Sequence, residues 1–187
     1  MGFTPCEANP DVWMRPTPTH YAHYEYVCVY VDDIMMFGKY PQDFFTDLTD
    51  KYNYHLKGVG PPKYHLGGDF YRDKDGTLAW GAASYAKKIL TNYETTFGTK
   101  AQNTSSPLPE KDHPKLDTSA LLNTADIKLH QSLIGALQWL VTLGRFDILV
   151  HVATIGSFRV APRIGHLDCL KRIFSYINKY PNGAIRF

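Results

Sequence analysis

The sequence predicts an α+β protein: antiparallel hairpins with packed helices, followed by a small helical bundle. Three observations carry this. The run from Tyr24 to Gly38 is rich in β-branched and aromatic residues, broken only by Asp32-Asp33, so it reads as two strands joined at the paired aspartates. A second pair of strand-like runs flanks Asp75-Gly76, a strong hairpin signal. After a polar, proline-bearing stretch over 99–124, apolar residues recur at helical spacing.

Taken in order, residues 1–20 carry Pro5, Pro10, Pro16 and Pro18 and read as a loop-rich lead-in rather than an element. The aspartate hairpin follows. Pro41-Gln42-Asp43 then opens a helix in which Phe44, Phe45, Leu48 and Tyr52 recur at helical spacing. Glycines and prolines over 58–62 break the chain. Tyr64 to Tyr71 and Thr77 to Trp80 read as the two strands of the second hairpin. An EF-hand reading of Asp73-Lys74-Asp75-Gly76 fails, because Tyr71 and Ala82 would stand at the first and twelfth ligand positions. Ser84 is the expected N-cap of the next helix, with Ile89, Leu90, Tyr93 and Phe97 inward and Gly98 as its stop.

The stretch 99–124 reads as a tether between two packing units. Thr124 is the expected cap of a long helix with Leu133, Ile134, Leu137 and Leu140 in its apolar stripe, ended by Gly144. A second helix is expected from Phe146 to Phe158. Pro162 separates it from a third that turns Leu167, Leu170, Ile173, Phe174 and Ile177 inward. Short connections make these an antiparallel bundle. The expected division is therefore 1–98, the tether 99–124, and the helical unit 125–187.

Composition narrows the function classes. The chain has 187 residues, 44% hydrophobic and 14% aromatic, enough for one domain or two small ones, and it is not a disordered chain. A net charge of +2 neither demands nor excludes a nucleic-acid partner. From Arg145 onward the bases Arg145, Arg159, Arg163, Lys171, Arg172, Lys179 and Arg186 face only Asp147 and Asp168; a solvated helix face and phosphate contacts both explain that excess.

Cys6, Cys28 and Cys169 have no CxxC spacing, which leaves neither a zinc set nor a disulfide framework and points to a reducing, intracellular compartment. No apolar run reaches membrane-span length, so no membrane partner is expected, and the N-terminus has no signal-peptide core. Among the eight histidines, His20 and His23 stand apart from other ligands, His151 reads as a core or rim residue, and His166 as a helix cap or packing group. None has metal-ligand spacing.

Asp32 and Asp33 carry the chemistry. Burying two bare carboxylates is costly, so they must reach water, a cation or a metal. Alone, Asp-Asp between strands reads as a surface turn; a hard divalent cation is the other solution. The nearly all-apolar flanks argue that this hairpin is buried rather than peripheral.

Tyr30-Val31-Asp32-Asp33 resembles the catalytic hairpin of copia-type LTR retrotransposon reverse transcriptases, and the resemblance extends along nearly the whole chain. Gly2-Phe3 and Asn9 to Trp13 resemble the segment preceding that hairpin. Lys57 to Gly60 and Tyr64 to Gly68 resemble the family's glycine turn and F-L-G strand, and Ser84 to Leu90 its Q-x-K-Y-I helix. Ser132 to Leu140 is similar to L-I-G-S-L-x-Y-L. Arg145-Phe146-Asp147-Ile148 stands where the family has R-P-D-I, with its proline replaced. Pro162, His166 and Lys171-Arg172-Ile173 match P…H…K-R-I.

The resemblance implies a partial polymerase palm followed by a helical thumb-like bundle. It implies an RNA-directed DNA polymerase that joins a deoxynucleotide to a primer 3′-hydroxyl on an RNA template, using two Mg²⁺ or Mn²⁺ ions. Asp32 would be a direct metal ligand and Asp33 a weaker one. Tyr30 and Val31 would lie against the primer end, Leu66 and Gly67 would belong to the primer-grip hairpin, and Gly135 and Trp139 to a thumb helix tracking the duplex. Ordinary helix packing is an equal reading of Gly135 and Trp139. The partners implied are RNA template, DNA primer, deoxynucleotides and the rest of a retroelement polyprotein. The implied location is cytoplasmic, in a virus-like particle, or nuclear.

No apolar strand ending in Asp precedes Val27, and nothing reads as nucleotide-binding fingers. The expectation is therefore an internal piece, inactive alone. The alternative is a non-catalytic nucleic-acid-binding or assembly module derived from a retroelement polyprotein.

Overall fold

In the computed structural model, which describes residues 1–17, 23–109 and 113–187, the chain divides into two compact units, Met1–Pro62 and Lys63–Phe187. Pro18 and His20 lie outside the described residues.

The first unit is a four-stranded antiparallel sheet in the order β1 (Thr4–Cys6), β2 (Asn9–Pro16), β3 (Tyr24–Tyr30), β4 (Asp33–Phe37), followed by α1 (Pro41–Asp50). The expected loop over 1–20 is thus corrected to two strands. Prolines are tolerated because β1 is an edge strand whose register shifts at Pro5/Cys6, and Pro16 ends β2. Alternation along β3 puts Glu25 and Val27 on the covered face and Tyr24, Tyr26 and Tyr30 on the open one.

Phe44 of α1 is buried and meets Phe3 edge-to-face at 5.6 Å. Buried Glu25 is neutralised by Arg15, whose Nε donates to its Oε2 at 2.7 Å. Arg15 in turn lies 4.4 Å over the Phe3 ring. This small core leaves much of the hairpin exposed, which corrects the expectation that its apolar flanks bury it.

The second unit has its own sheet, β5 (Tyr64–His65), β6 (Gly68–Arg72), β7 (Leu78–Gly81) and β8 (Ala184–Arg186), and the helices α2 (Ala83–Phe97), α3 (Thr124–Thr142), α4 (Leu149–Gly156) and α5 (Ile164–Lys179). The single strand expected over Tyr64 to Tyr71 is in fact two. The chain reverses at Leu66 and Gly67, whose φ values of 48° and 90° suit a type I′ hairpin turn. Asp75-Gly76 turns β6 into β7 as expected, with Gly76 at φ 84°. Arg186 pairs with Asp73 at 2.7 Å and Asp75 at 2.8 Å and fastens β8 to that turn.

Two helix starts differ from expectation. Ser84 does not cap α2; its N–H is instead bonded by Asp69 Oδ2, from β6, at 2.8 Å. Asn123, not Thr124, caps α3, by accepting from Asp126 N at 2.9 Å. The middle helix is shorter than its expected span, because Phe146–Ile148 forms a 3₁₀ turn ahead of Leu149.

Ile134, Leu137, Leu140, Ile148, Ile155, Leu170, Ile173 and Ile177 are fully buried and join Ala86, Ile89 and Tyr93 of α2 in one core. Each large aliphatic side chain contributes roughly 1.5–3 kcal/mol. The compact-unit boundary therefore falls at 62/63 and not in the 99–124 stretch, because α2 and the second hairpin share this core.

The described residues of that stretch, 99–109 and 113–124, form a strap and not a tether. Ala101, Pro107 and Pro114 are buried. Asn178 Nδ2 donates to Ala101 O at 2.9 Å, Arg172 Nε to Ser106 O at 3.2 Å, and His166 Nε2 to Pro114 O at 2.9 Å. Its backbone carbonyls cap donors projecting from α5.

Candidate functional site

The paired aspartates sit at the tip of the β3–β4 hairpin, but not symmetrically. Tyr30 pairs with Asp33, so the two-residue loop is Val31-Asp32 and Asp33 is the first residue of β4. Val31 has φ 52° and is 83% exposed. A β-branched residue in the left-handed region carries real backbone strain, of order 1–3 kcal/mol. A positive φ at the first loop position is the signature of a type II′ turn, which glycine normally supplies. Here the strained backbone holds Val31 out into solvent at the end of the hairpin.

Both carboxylates are exposed. Their oxygens are hard donors suited to a divalent cation. They fit one wall of a metal site: among the described residues no three His, Cys, Asp or Glu side chains converge to hold an ion. The face shared by Tyr24, Tyr26 and Tyr30 is open, with Tyr26 opposite Phe37, and these four side chains are 51, 39, 53 and 43% exposed in that order. Tyr30, Val31, Asp32 and Asp33 thus form one cluster, within the first unit.

The second unit brings the other four predicted residues together. Leu66 and Gly67 form the tip of the β5–β6 hairpin, and this tip lies on α3. A Cβ placed on Gly67 would stand 3.3 Å from Leu143 Cδ1 and 3.4 Å from Trp139 Nε1. Trp139 is 46% exposed, and Gly135, one turn before it, has nothing within 4 Å of its Cβ direction. Gln131, a further turn back, completes an i, i+4, i+8 row and donates to Arg159 O at 3.0 Å. Sequence reasoning passed over Gln131, although the spacing of four was readable. The result is an open shelf: a glycine gap, a half-exposed indole and a hairpin tip.

The basic residues sort differently from either expectation. Arg145 is buried and binds Asp147 through Nε at 2.9 Å and Nη2 at 2.8 Å. Arg159 is held by Gln138, and Arg163 by Ser119 O. Lys171 pairs with exposed Asp168 at 2.9 Å.

Of the histidines, His166 does cap its helix: Arg163 N donates to its Nδ1 at 3.1 Å, and its ring stacks on Phe158 at 4.1 Å. His130, which the sequence did not single out, is fully buried, with neither ring nitrogen bonded among the described residues. Burial, then the nearby His166 and Arg159 charges, push its pKa down to about 4.

Among the described residues no helix is long and apolar enough to cross a membrane. No protein-family model matches the chain, and no solved structure does. The chain is 27% identical over 183 residues to a protein of transposon Ty5-1 in Saccharomyces cerevisiae, covering 95% of this chain and 55% of that one. It is 29% identical over 161 residues to a retrovirus-related Pol polyprotein from transposon RE1 of Arabidopsis thaliana, covering 86% of this chain and 10% of the polyprotein. The chain therefore spans about half the length of the first relative and a tenth of the second. These similarities run through both compact units and support a retrotransposon-derived protein.

Proposed function

We propose that the chain is part of a retrotransposon reverse transcriptase, with the first unit contributing the carboxylate hairpin of the palm and α3 a thumb-like track for nucleic acid. The observation that carries this reading is the exposed hairpin tip, where strained Val31 holds Asp32 and Asp33 in solvent beside Tyr30. A divalent ion bound there supplies charge neutralisation to a phosphoryl transfer. Asp32 and Asp33 would hold it from one side. Tyr30 and Val31 offer an exposed surface to a primer end. Gly135 leaves room for a backbone, and the Trp139 ring presents a stacking face.

Two carboxylates are too few for a two-metal centre. Loss of even one preorganised electrostatic element costs a factor of ~10² or more in rate. The 187-residue chain by itself should then be inactive. Primer extension on an RNA template with Mg²⁺ and Mn²⁺ tests this, comparing the chain, a version extended upstream through a further palm strand, and that version with Asp32→Asn. Activity is expected only in the extended version and is lost with Asp32→Asn. Extension by the chain alone that depends on Asp32 overturns the inactivity. Extension by no version, or extension indifferent to Asp32→Asn, overturns the assignment.

A further inference from the structure

A cleft of about 470 Å³ lies between the C-terminal end of α2, the start of the strap and α5, away from the α3 shelf. Lys100, Lys171 and Arg172 line it against one carboxylate, Asp168. The excess of cations in this one cleft equals that of the entire chain, which is +2. Its remaining walls are polar, Thr99, Gln102 and Thr104, over the Tyr93 and Phe97 rings.

The cations are oriented. Arg172 is held through Nε by the strap carbonyl of Ser106 at 3.2 Å, an anchor that fixes the plane of its guanidinium fork. Lys171 lies 5.4 Å over the Phe97 ring. Its pairing with Asp168 is exposed, an interaction worth no more than about 1 kcal/mol, so exchanging that carboxylate for a phosphodiester costs little. A second cleft, of about 520 Å³, adjoins the first at Lys100 and adds Lys87, Ser84, Asn178 and Asn182, with Glu94 opposing. Together the two form a cationic track along α2 through Lys87, Lys100, Lys171 and Arg172, with Leu90, Ala101 and Pro181 as an apolar wall of the second cleft.

We propose that this track binds the sugar–phosphate backbone of a nucleic acid, with Lys100, Lys171 and Arg172 contacting successive phosphodiesters. The choice of nucleic acid over another polyanion rests on the polymerase reading above; the anion site itself rests on the cleft. The site is distinct from the Gly135–Trp139 shelf.

The test is fluorescence anisotropy of the full chain with a labelled single-stranded DNA of about 20 nucleotides, across a salt series. Lys100→Ala with Lys171→Ala should weaken binding by about tenfold and flatten the plot of log affinity against log salt by about 0.7 for each phosphate no longer neutralised. Arg172→Lys should give an intermediate loss. Lys51→Ala removes an exposed charge at the C-terminal end of α1, outside both the cleft and the α3 shelf, and should change nothing. Thermal melts identify any variant that fails to fold, and Lys100→Ala alone, at an exposed position, then carries the comparison.

Unchanged binding in the cleft variants, or an equal loss in Lys51→Ala, overturns the proposal. Equal competition by inorganic phosphate overturns the nucleic-acid assignment. Trp139→Ala separates the two readings: loss there alone overturns the cleft and keeps the shelf, whereas loss in the cleft variants alone supports the cleft and overturns the shelf.

Discussion

Arg145 and Asp147 are locked together by two parallel hydrogen bonds, 2.9 and 2.8 Å long, with the arginine almost wholly buried. The pair sits at the corner between α3 and α4, and a Cβ on Gly183 would come within 2.6 Å of Arg145 Nε. The corner, the C-terminal turn and β8 are thereby packed around one guanidinium. Removing its carboxylate partner leaves a buried charge. Because Asp147 is itself 38% exposed, Asp147→Ala should destabilise the second unit by about 1–3 kcal/mol, measured by urea unfolding. A loss under ~1 kcal/mol would show that the pair is dispensable.

Stability should also depend on pH, with a sign set by His130. Its folded-state pKa, near 4, lies below the ordinary 6.5, so the unfolded chain binds the proton first. Stability is full above the ordinary value and declines as pH falls from about 6.5 toward 4, by on the order of 3 kcal/mol.

The carboxylates Asp117 and Asp147 extend the decline. Burial raises each, but the Ser119 hydrogen bonds for Asp117, and Arg145 with Tyr176 for Asp147, outweigh it and leave both lowered. Their contribution is present above the ordinary carboxylate value and is lost as pH falls below it. His130→Leu should abolish the upper part of this decline and leave the lower part. A parent chain equally stable at pH 7 and 5 would contradict the buried, unbonded ring.

Gly68 has no room for a side chain. A Cβ there would lie 1.9 Å from Trp80 Nε1, a buried donor. Gly68→Ala should cost about 1–3 kcal/mol through displacement of the indole, with a shift in tryptophan emission as the accompanying readout. Gly135→Ala meets open space and should leave stability within about 0.5 kcal/mol of the α-helical gain expected from alanine.

Metal affinity separates an exposed pair of carboxylates from a complete site. Calorimetric titration of the chain should reveal no sub-micromolar Mg²⁺ site. Tight binding abolished by Asp32→Ala would mean that another residue completes the centre.

Trp139→Ala should weaken single-stranded DNA binding by about 5- to 100-fold, the range for losing one stacked base. A variant that binds normally but melts lower would return Trp139 to its packing reading.

Local pattern was enough for much of this. Alternation along Tyr24 to Tyr30, the Asp75-Gly76 turn, the stripe from Leu133 to Leu140 and the Gly98 stop, which has φ 68°, all act within a few residues and are written in side-chain type. Asp32 and Asp33 were legible for the same reason, as two charges in an apolar run. The fold decided what is not written locally. Leu66 turns left-handed, although leucine does not signal it, because the tip must reverse against Trp139 and Leu143. Ala184–Arg186 joins β7 across the whole of the second unit.

The 99–124 stretch reads as a tether by composition because polar side chains and prolines suggest no core. It packs through carbonyls at Ala101, Ser106 and Pro114, and a backbone acceptor looks the same in every sequence. For that reason the sequence by itself determined the main helices, the hairpins at Asp32-Asp33 and Asp75-Gly76 and the candidate carboxylates, but not the strands β1, β2 and β8. Only the tertiary structure decided which strands pair, which arginine is buried and which three cations share a cleft: such pairings depend on contacts between residues far apart in the chain, and these leave no periodic trace in it.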